Sequence, residues 1–417
     1  MIGAPTLALR VLVASALGAA LVAEPAGAAD LTLGPRLELR HRASGHDSHL
    51  SGAAVVLLPD GMPLISWAAQ AGPINHLYVA RLGEGAAVPV KVNPGELTVE
   101  ALHHPPRLAV GPGGEIYVSW SAAKARPEGT LFASDLYLSR SADGGKSFTG
   151  HLRVNDDRPI SHSFDGLAVA ADGAVLVSWL DSRVGGPNAG TYLARVTQQG
   201  TQVEGIAKVG DDARVCCRVA VAAGPGDGVS VFWRKVFPGD IRDMVMSPSR
   251  DGGRSFAPPA LVADDGWRIA ACPHRGGAVA MDGRGRVYAS WYTEGRQARP
   301  DLYFAISEDG RRFGPRRRLH TSTASIPDHA RMAVSRDGRG VVVWQDSTAV
   351  RRRILLSYTA DGGRTLGPTR ALSTAIKAWE PDVAVGPDGR FAIAWHEEQF
   401  PSVKTVVQTV QVGPRAR

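Results

Sequence analysis

Residues 107–120 read RLAVGPGGEIYVSW, and this stretch decides the fold. A short apolar run, a turn rich in Gly and Pro, and a second run of alternating apolar residues predict a β-hairpin that ends at Trp120. The same pattern returns as GLAVAADGAVLVSW at 166–179, RMAVSRDGRGVVVW at 331–344 and DVAVGPDGRFAIAW at 382–395. The chain is therefore predicted to consist of repeats of one hairpin.

The tryptophans that end the hairpins are 51 to 59 residues apart. They are Trp67, Trp120, Trp179, Trp233, Trp291, Trp344 and Trp395. A third apolar run follows several of them, as at residues 135–139 and 301–305, and a tight turn and a weaker fourth run come next. Four antiparallel strands at this period are typical of a β-propeller blade. We expect an all-β propeller of four-stranded antiparallel blades, with seven blades.

The two ends of the repeat array predict how the ring closes. Only 22 residues follow Trp395, which is enough for one further strand but not for two. Residues 31–41 contain the alternating Leu37 and Leu39 but have no hairpin of their own. We expect this N-terminal strand to complete the final blade, because an unpaired sheet edge promotes aggregation.

Residues 1–29 resemble a secretory signal peptide. Arg10 precedes the apolar stretch 11–22, and the small residues 26–29 form a cleavage pattern. We expect one mature propeller domain over residues 30–417, secreted or periplasmic, without a membrane span.

Composition excludes several classes of protein. The chain is 44% apolar and 21% charged, with 48 Gly and 28 Pro, which excludes disorder and coiled coil and favours a turn-rich β protein. The net charge is +7, but its arginines are scattered and form no basic stripe with aromatic residues. Nucleic acid is therefore not expected as a partner.

A turn motif follows the third strand of several repeats. It reads SADGGKSF at 141–148 and SRDGGRSF at 249–256, with a near copy at 359–366 and a shorter one at 307–313. The Asp is expected to accept hydrogen bonds from amides of its own turn, and Gly allows a positive φ. This motif resembles the Asp-box, or bacterial neuraminidase repeat, of the sialidase superfamily. Sialidases usually have six blades, so a six-bladed ring is the alternative to seven.

The ligand site is expected where the first strands begin. In a propeller these strands line the central channel, so the segments before them and the loops after the tryptophans share one face. Polar and aromatic residues recur on both kinds of segment. Those expected to bind ligand are His104, His162, Arg234, Trp267, His274, His329, Trp379 and Glu380.

The resemblance to sialidases implies a carboxylate clamp on this face. Sialidases hold the substrate carboxylate with a cluster of arginines. Arg218 and Arg331 are expected to form the clamp, with Arg107 or Arg234 as the third member. The [FY]-R-I-P motif that carries the first clamp arginine of the family is absent from this chain.

The resemblance also implies residues for cleavage. A sialidase uses a Tyr nucleophile beside a Glu, and an Asp as acid and base. Tyr292 with Glu294 is the matching pair, and Asp165 or Asp328 is the acid. The expected function is the binding or hydrolysis of an acidic glycan, for which no cofactor is required.

Three cysteines support an alternative function. Cys216 and Cys217 open the fourth repeat and Cys272 opens the fifth, so a disulfide between neighbouring blades is one interpretation. The other is a copper or zinc site that combines thiolates with His274 and with His162 or His329.

A further alternative is a binding module without catalysis. Trp267 and Trp379 are the two tryptophans outside the periodic set, and both precede first strands, where an indole can stack on a sugar. The partner would be a glycan, another small molecule, or a protein on the propeller face.

Overall fold

The computed structural model describes residues 31–41, 52–71, 74–83, 87–95, 97–100, 105–124, 133–183, 188–271, 273–399 and 402–414. In these ranges the regular structure is β-strand apart from one 3-10 turn, Gly295–Gln297. The predicted all-β class is therefore confirmed. None of the helical structure in these ranges is long and apolar enough to cross a membrane.

Five of the six sheets contain four antiparallel strands. The first strand of the chain is β1 (Leu31–His41). One sheet consists of β2 (Ala54–Leu57), β3 (Pro63–Ala71), β4 (Ile74–Arg81) and β5 (Val90–Lys91). The next consists of β6 (Arg107–Val110), β7 (Ile116–Ala123), β8 (Ser134–Ser141) and β9 (Thr149–Arg153).

An eight-stranded sheet follows along the chain. Its first half is β10 (His162–Val169), β11 (Val175–Asp181), β12 (Ala189–Val196) and β13 (Val203–Ala213). Its second half is β14 (Ala220–Ala223), β15 (Val229–Phe237), β16 (Ile241–Ser249) and β17 (Ala260–Leu261). One residue pair, Ala213 with Lys235, joins the two halves.

Three more four-stranded sheets complete the described chain. They contain β18 (Gly277–Met281), β19 (Val287–Thr293), β20 (Asp301–Ser307) and β21 (Arg317–Arg318); then β22 (Ile326–Val334), β23 (Gly340–Ser347), β24 (Arg352–Thr359) and β25 (Arg370–Ala371); and last β26 (Ala378–Val385), β27 (Phe391–Gln399) and β28 (Ser402–Val412), to which β1 is added.

The N-terminal strand lies on the last sheet, as the sequence predicts. Strand β1 pairs antiparallel with β28 from Leu31 opposite Val412 to His41 opposite Val403. Gln408 also donates a side-chain hydrogen bond to the carbonyl of Gly34 at 3.0 Å. The two ends of the chain are thus held in one sheet.

The periodic tryptophans lie on second strands and fill the spaces between sheets. Each is at most 3% exposed. Trp179 of β11, for example, belongs to one apolar cluster with Leu136 and Leu138 of β8, so neighbouring sheets pack face to face. Burying one such large side chain contributes about 1.5 to 3 kcal/mol.

The first strands of successive sheets contact one another. Each of β2, β6, β10, β14, β18 and β22 contacts the next first strand, and β26 contacts β2. The residues that precede these strands are therefore brought together from distant parts of the sequence.

The glycine-rich turns satisfy their own polar groups, as expected. Asp143 accepts hydrogen bonds from the amides of Lys146 and Ser147, both at 3.0 Å, and from the Ser147 hydroxyl at 2.6 Å. These bonds hold the pKa of Asp143 well below its usual value. Gly145, at φ 90°, lies against Leu64 of the neighbouring sheet, so the turn also fixes sheet packing.

Candidate functional site

Bulges interrupt three first strands near their N-terminal ends. The register shifts between Ser163 and Gly166 in β10, and at the corresponding points of β22 and β26. Within these bulges Phe164, His329 and Glu380 adopt left-handed φ values of 59°, 50° and 50°. Residues other than Gly rarely adopt this conformation, and it concentrates at functional sites.

Arginines from three sheets meet at one hollow on this face. Arg107 begins β6, Arg218 precedes β14, and Arg331 lies in β22. All three line the hollow, which we call the first hollow and which encloses about 240 Å³ open to solvent. The structure thus brings Arg218 and Arg331 together and selects Arg107, rather than Arg234, as their neighbour.

The charge of Arg107 disfavours the charged forms of Arg218 and Arg331. Burial and then the charge of Arg107 lower the pKa of Arg218 to about 10. Burial, Arg107 and Arg218 also lower the pKa of Arg331. Within the described ranges, no hydrogen bond engages the guanidinium of Arg107 or Arg218. Their N–H donors are available to an anion in the hollow.

Carboxylates offset part of this positive charge. Asp382 lies 3.6 Å from Nε of Arg331, and its other oxygen accepts a hydrogen bond from the amide of Val55 at 3.0 Å. Glu380 also lines the first hollow, and its carboxylate lies beside Gly52, where a Cβ would be 2.6 Å from Oε2. A larger residue at Gly52 would therefore displace the Glu380 carboxylate.

Asp165 is a buried carboxylate that senses the charge of two of these arginines. It is 3% exposed and accepts a hydrogen bond from the hydroxyl of Ser119 at 2.5 Å. Burial raises its pKa, whereas the charges of Arg107 and Arg218 oppose that rise. Asp165 itself lines neither this hollow nor the second hollow described below.

A second hollow, of about 330 Å³, lies next to the first and shares Arg218, His329 and Arg331 with it. Its remaining lining includes Tyr292 and Asp328, two of the residues expected to take part in cleavage.

The predicted pair Tyr292 and Glu294 is in contact here. The hydroxyl of Tyr292 donates to Oε1 of Glu294 at 2.6 Å. Burial and then this hydrogen bond raise the pKa of Tyr292. Arg275 lies over the Tyr292 ring, with Cζ 4.2 Å from its centre, and its Nε is 3.1 Å from Asp328.

Arg275 is the site residue that sequence reasoning missed. It follows His274 at the start of the fifth repeat, where a basic residue beside the predicted entrance was the available signal. His274, which the sequence predicts to lie on this face, is exposed and lines the second hollow.

Arg234 and Trp267, which the sequence predicts to bind ligand, line neither hollow. Arg234 is 1% exposed and donates to the carbonyls of Tyr292 at 2.6 Å, Arg242 at 2.8 Å and Arg275 at 3.3 Å. Trp267 is 2% exposed, and Arg234 covers its ring at 4.7 Å. Arg234 thus connects β15 to the neighbouring sheet through the carbonyl of Tyr292, and Trp267 packs against the Arg234 guanidinium.

His162, another residue predicted to bind ligand, also lines neither hollow. It is fully buried, with Nδ1 2.8 Å from the carbonyl of Ser134 and 3.2 Å from the side-chain amide of Asn155. It precedes the bulge of β10, and its side chain packs against Ser134 of β8 and Asn155. Trp379 is partly buried and its ring centre lies 5.8 Å from that of His396.

The predicted cysteine centre is described only in part. Cys216 and Cys217 are both buried, and their side chains interact with each other. This interaction and the nearby charge of Arg234 lower the pKa of Cys217. Cys272 and His104 lie outside the described residues. Within the described ranges no group of three His, Cys, Asp or Glu side chains is arranged to hold a metal ion.

Comparison with known proteins identifies the fold. No family model matches the chain, and no curated protein does. A protein of unknown function from Dyadobacter fermentans has a TM-score of 0.54 and 13% identity over 92% of this chain and 99% of its own. The polysaccharide lyase Uly1 has a TM-score of 0.56 and 10% identity over 91% and 99%.

A third similar structure is the GH93 α-L-arabinofuranosidase of Fusarium graminearum in complex with arabinobiose. It has a TM-score of 0.51 and 13% identity over 91% of this chain and 98% of its own. At these identities the likeness shows the fold alone. Together with the four-stranded antiparallel sheets, it places this chain among the β-propellers.

Proposed function

We propose that the chain is an exported, sialidase-like β-propeller that binds an acidic glycan by a sugar carboxylate and cleaves it beside that carboxylate. Residues 1–29 would direct export, to the periplasm or outside the cell, and residues 30–417 would form the single functional domain. The site would be the two hollows on the face where the first strands begin.

The proposed ring has seven blades. The halves β10–β13 and β14–β17 share one residue pair only, which supports counting them as separate blades. Strand β1 would complete the seventh blade and close the ring, which is supported by its pairing with β28.

The meeting of Arg107, Arg218 and Arg331 at the first hollow carries this proposal. Three like charges held close together are costly unless an anion neutralises them. A carboxylate accepts paired hydrogen bonds from guanidinium groups, which are stronger than bonds between neutral partners. A sugar that bears a carboxylate would therefore relieve the repulsion and gain directional bonds.

Cleavage is supported by the second hollow. It places a tyrosine, a histidine and an aspartate next to the arginines. Proton-transferring groups in such a position can act on the bond beside a clamped carboxylate. Two of the structurally similar proteins are a polysaccharide lyase and an arabinofuranosidase, so this fold is compatible with glycan cleavage.

The test is binding and turnover of acidic glycans by the purified protein. A glycan array and calorimetric titration would compare sialosides, uronate oligosaccharides and neutral sugars, and a fluorogenic sialoside would test sialidase activity directly. Arg218→Met and Arg331→Met should each weaken binding of the acidic ligand at least tenfold. Arg311→Met, at an exposed turn, is the matched control and should leave binding unchanged. Binding that survives both site substitutions would contradict the proposal.

A further inference from the structure

We infer that this site cleaves 4-linked uronate chains by β-elimination, with His329 as the base that removes the C5 proton and Tyr292 as the donor to the leaving oxygen. The inference rests on the proposed carboxylate clamp. It names a substrate class and a reaction that the sialidase resemblance does not include.

His329 occupies the position that such a base requires. It lines both hollows, as do Arg218 and Arg331, so it lies beside any carboxylate held between those arginines. Its φ of 50° is unfavourable for a histidine, and the bulge of β22 holds it there. Strain of this kind persists only where the surrounding structure imposes it, and it clusters at functional sites.

The two ring nitrogens of His329 have different surroundings. Nδ1 is a buried atom that lies 3.6 Å from Oδ1 of Asp328. Nε2 makes no hydrogen bond to any described residue and is not buried. Asp328 therefore favours the proton on Nδ1, which leaves the Nε2 lone pair to accept a proton.

The imidazole is held in its neutral form. Burial lowers the pKa of His329, and the charges of Arg218 and Arg331 add to this effect. Asp328 and Glu380 act in the opposite direction but do not reverse it. A neutral imidazole at neutral pH is the form that can take a proton.

Tyr292 is suited to the opposite role. Its hydroxyl holds its proton in a 2.6 Å hydrogen bond to Glu294, and its pKa is raised by burial and by that bond. A tyrosine in this state is a better proton donor than a nucleophile, since attack requires the phenolate. Arg275, 4.2 Å from the ring centre, would stabilise the negative charge left after donation.

The elimination is balanced without a co-reactant. The three guanidinium groups neutralise the uronate carboxylate, which makes the adjacent C5–H bond more acidic. Nε2 of His329 takes the C5 proton, the C5–H electron pair forms the C4=C5 double bond, and the C4–O4 bond breaks. O4 takes the proton of Tyr292. Both side chains then return to their starting state by proton exchange with water.

This chemistry selects uronates over sialosides. In a 4-linked uronate, the carbon that bears the carboxylate also bears a hydrogen and lies next to the carbon with the leaving oxygen. In a sialoside, the carboxylate is attached to the anomeric carbon, which has no hydrogen. A base at His329 can therefore act only on the first class.

The experiment uses the full chain with alginate, polygalacturonate and hyaluronan, each of which contains 4-linked uronate. Products would be followed by the ultraviolet absorbance of the unsaturated uronate and by mass spectrometry in ¹⁸O-labelled water. We expect an unsaturated product without ¹⁸O from at least one polymer.

Substitutions then test the two assigned roles. His329→Asn, chosen because Asn tolerates a left-handed φ, and Tyr292→Phe should each lower the elimination rate about a hundredfold or more while polymer affinity stays within about threefold. His151→Asn is the matched control, because His151 also has a positive φ, of 32°, but lies in β9. Its rate should be unchanged.

Several results would overturn the inference. These are saturated products that carry ¹⁸O, an elimination rate that His329→Asn leaves intact, or binding of all three polymers without cleavage. In each of these cases the clamp would still stand. Failure of all acidic glycans to bind would instead refute the proposed function itself.

Discussion

Two buried arginines of the same half-sheet, Arg218 before β14 and Arg234 in β15, differ in how their charge is satisfied. Arg234 gives its donors to three backbone carbonyls and covers Trp267. Arg218 makes no hydrogen bond to the described residues and lies beside two further arginines. The first is part of the framework, whereas the role that we propose for the second is to bind an anion.

The two arginines differ in which groups neutralise the charge of the guanidinium. A buried cation with its hydrogen bonds made stabilises the packing around it. A buried cation next to like charges lowers stability. Burial lowers the pKa of both arginines, and for Arg218 the charge of Arg107 adds to this effect. Burial alone therefore does not distinguish a framework arginine from a site arginine. The groups that accept hydrogen bonds from each guanidinium do distinguish them.

The largest expected effect comes from the framework side. Deleting residues 31–41 removes one of the two strands that pair with β28, together with the Arg36 to Glu397 ion pair at 2.8 Å. We expect the cooperative thermal transition to disappear, because β28 becomes an open edge. Truncation after residue 414 is the control and should melt normally. A deleted protein with the same melting temperature would show that β1 is dispensable.

Arg234→Met tests the framework role of that side chain. Three carbonyls lose their donor, so the free energy of unfolding should fall by about 3 to 5 kcal/mol. Denaturant unfolding followed by tryptophan fluorescence measures the change. A loss below about 1 kcal/mol would mean that water replaces the guanidinium and that Arg234 is not structural.

Arg218→Met tests the opposite side of the comparison. Removing one of three repelling charges should leave the free energy of unfolding unchanged or raise it by about 1 kcal/mol, because no described hydrogen bond is lost. The same denaturant series measures this effect. A destabilisation as large as that of Arg234→Met would erase the distinction between the two arginines.

A smaller effect is expected at the glycine-rich turns. The pKa of Asp251 is lowered to about 2, with burial opposing the effect of hydrogen bonds from Ser255 and Ser249. Since the pKa is about 3.9 in the unfolded chain, this contribution is complete above about pH 4 and is lost as the pH falls through about 2. Asp251→Asn should therefore destabilise the protein at pH 6, by at most about 1 kcal/mol for this exposed group.

Acid unfolding of the two proteins checks this prediction. The difference in stability between wild type and Asp251→Asn should shrink as the pH approaches about 2. A difference that stays constant over this range would mean that the carboxylate charge is not the source of the effect.

Much of the fold was predictable from residues with a fixed period. The spacing of Trp67 to Trp395 placed every second strand, because a buried indole is needed at the same point of each sheet. The alternation at Leu37 and Leu39 placed β1 on the last sheet. The second strands and β1 could be predicted because residue spacing and alternation are visible directly in the sequence.

The site was predictable only to the level of the face. Position along the chain brought Arg107, Arg218 and Arg331 to the entrance, but the same reasoning also included His162 and Arg234. Whether a side chain faces the channel or the neighbouring sheet depends on where a bulge shifts the register, and no sequence pattern marked the bulges of β10 and β22.

The central claim is that the first hollow recognises a carboxylate, and one titration tests it most directly. Calorimetry would compare a uronate oligosaccharide with the same oligosaccharide after its carboxylates have been reduced to alcohols. We predict that the wild-type protein binds the acidic form at least tenfold more tightly and that Arg218→Met abolishes this preference. Equal affinity of the wild-type protein for both forms would contradict the account.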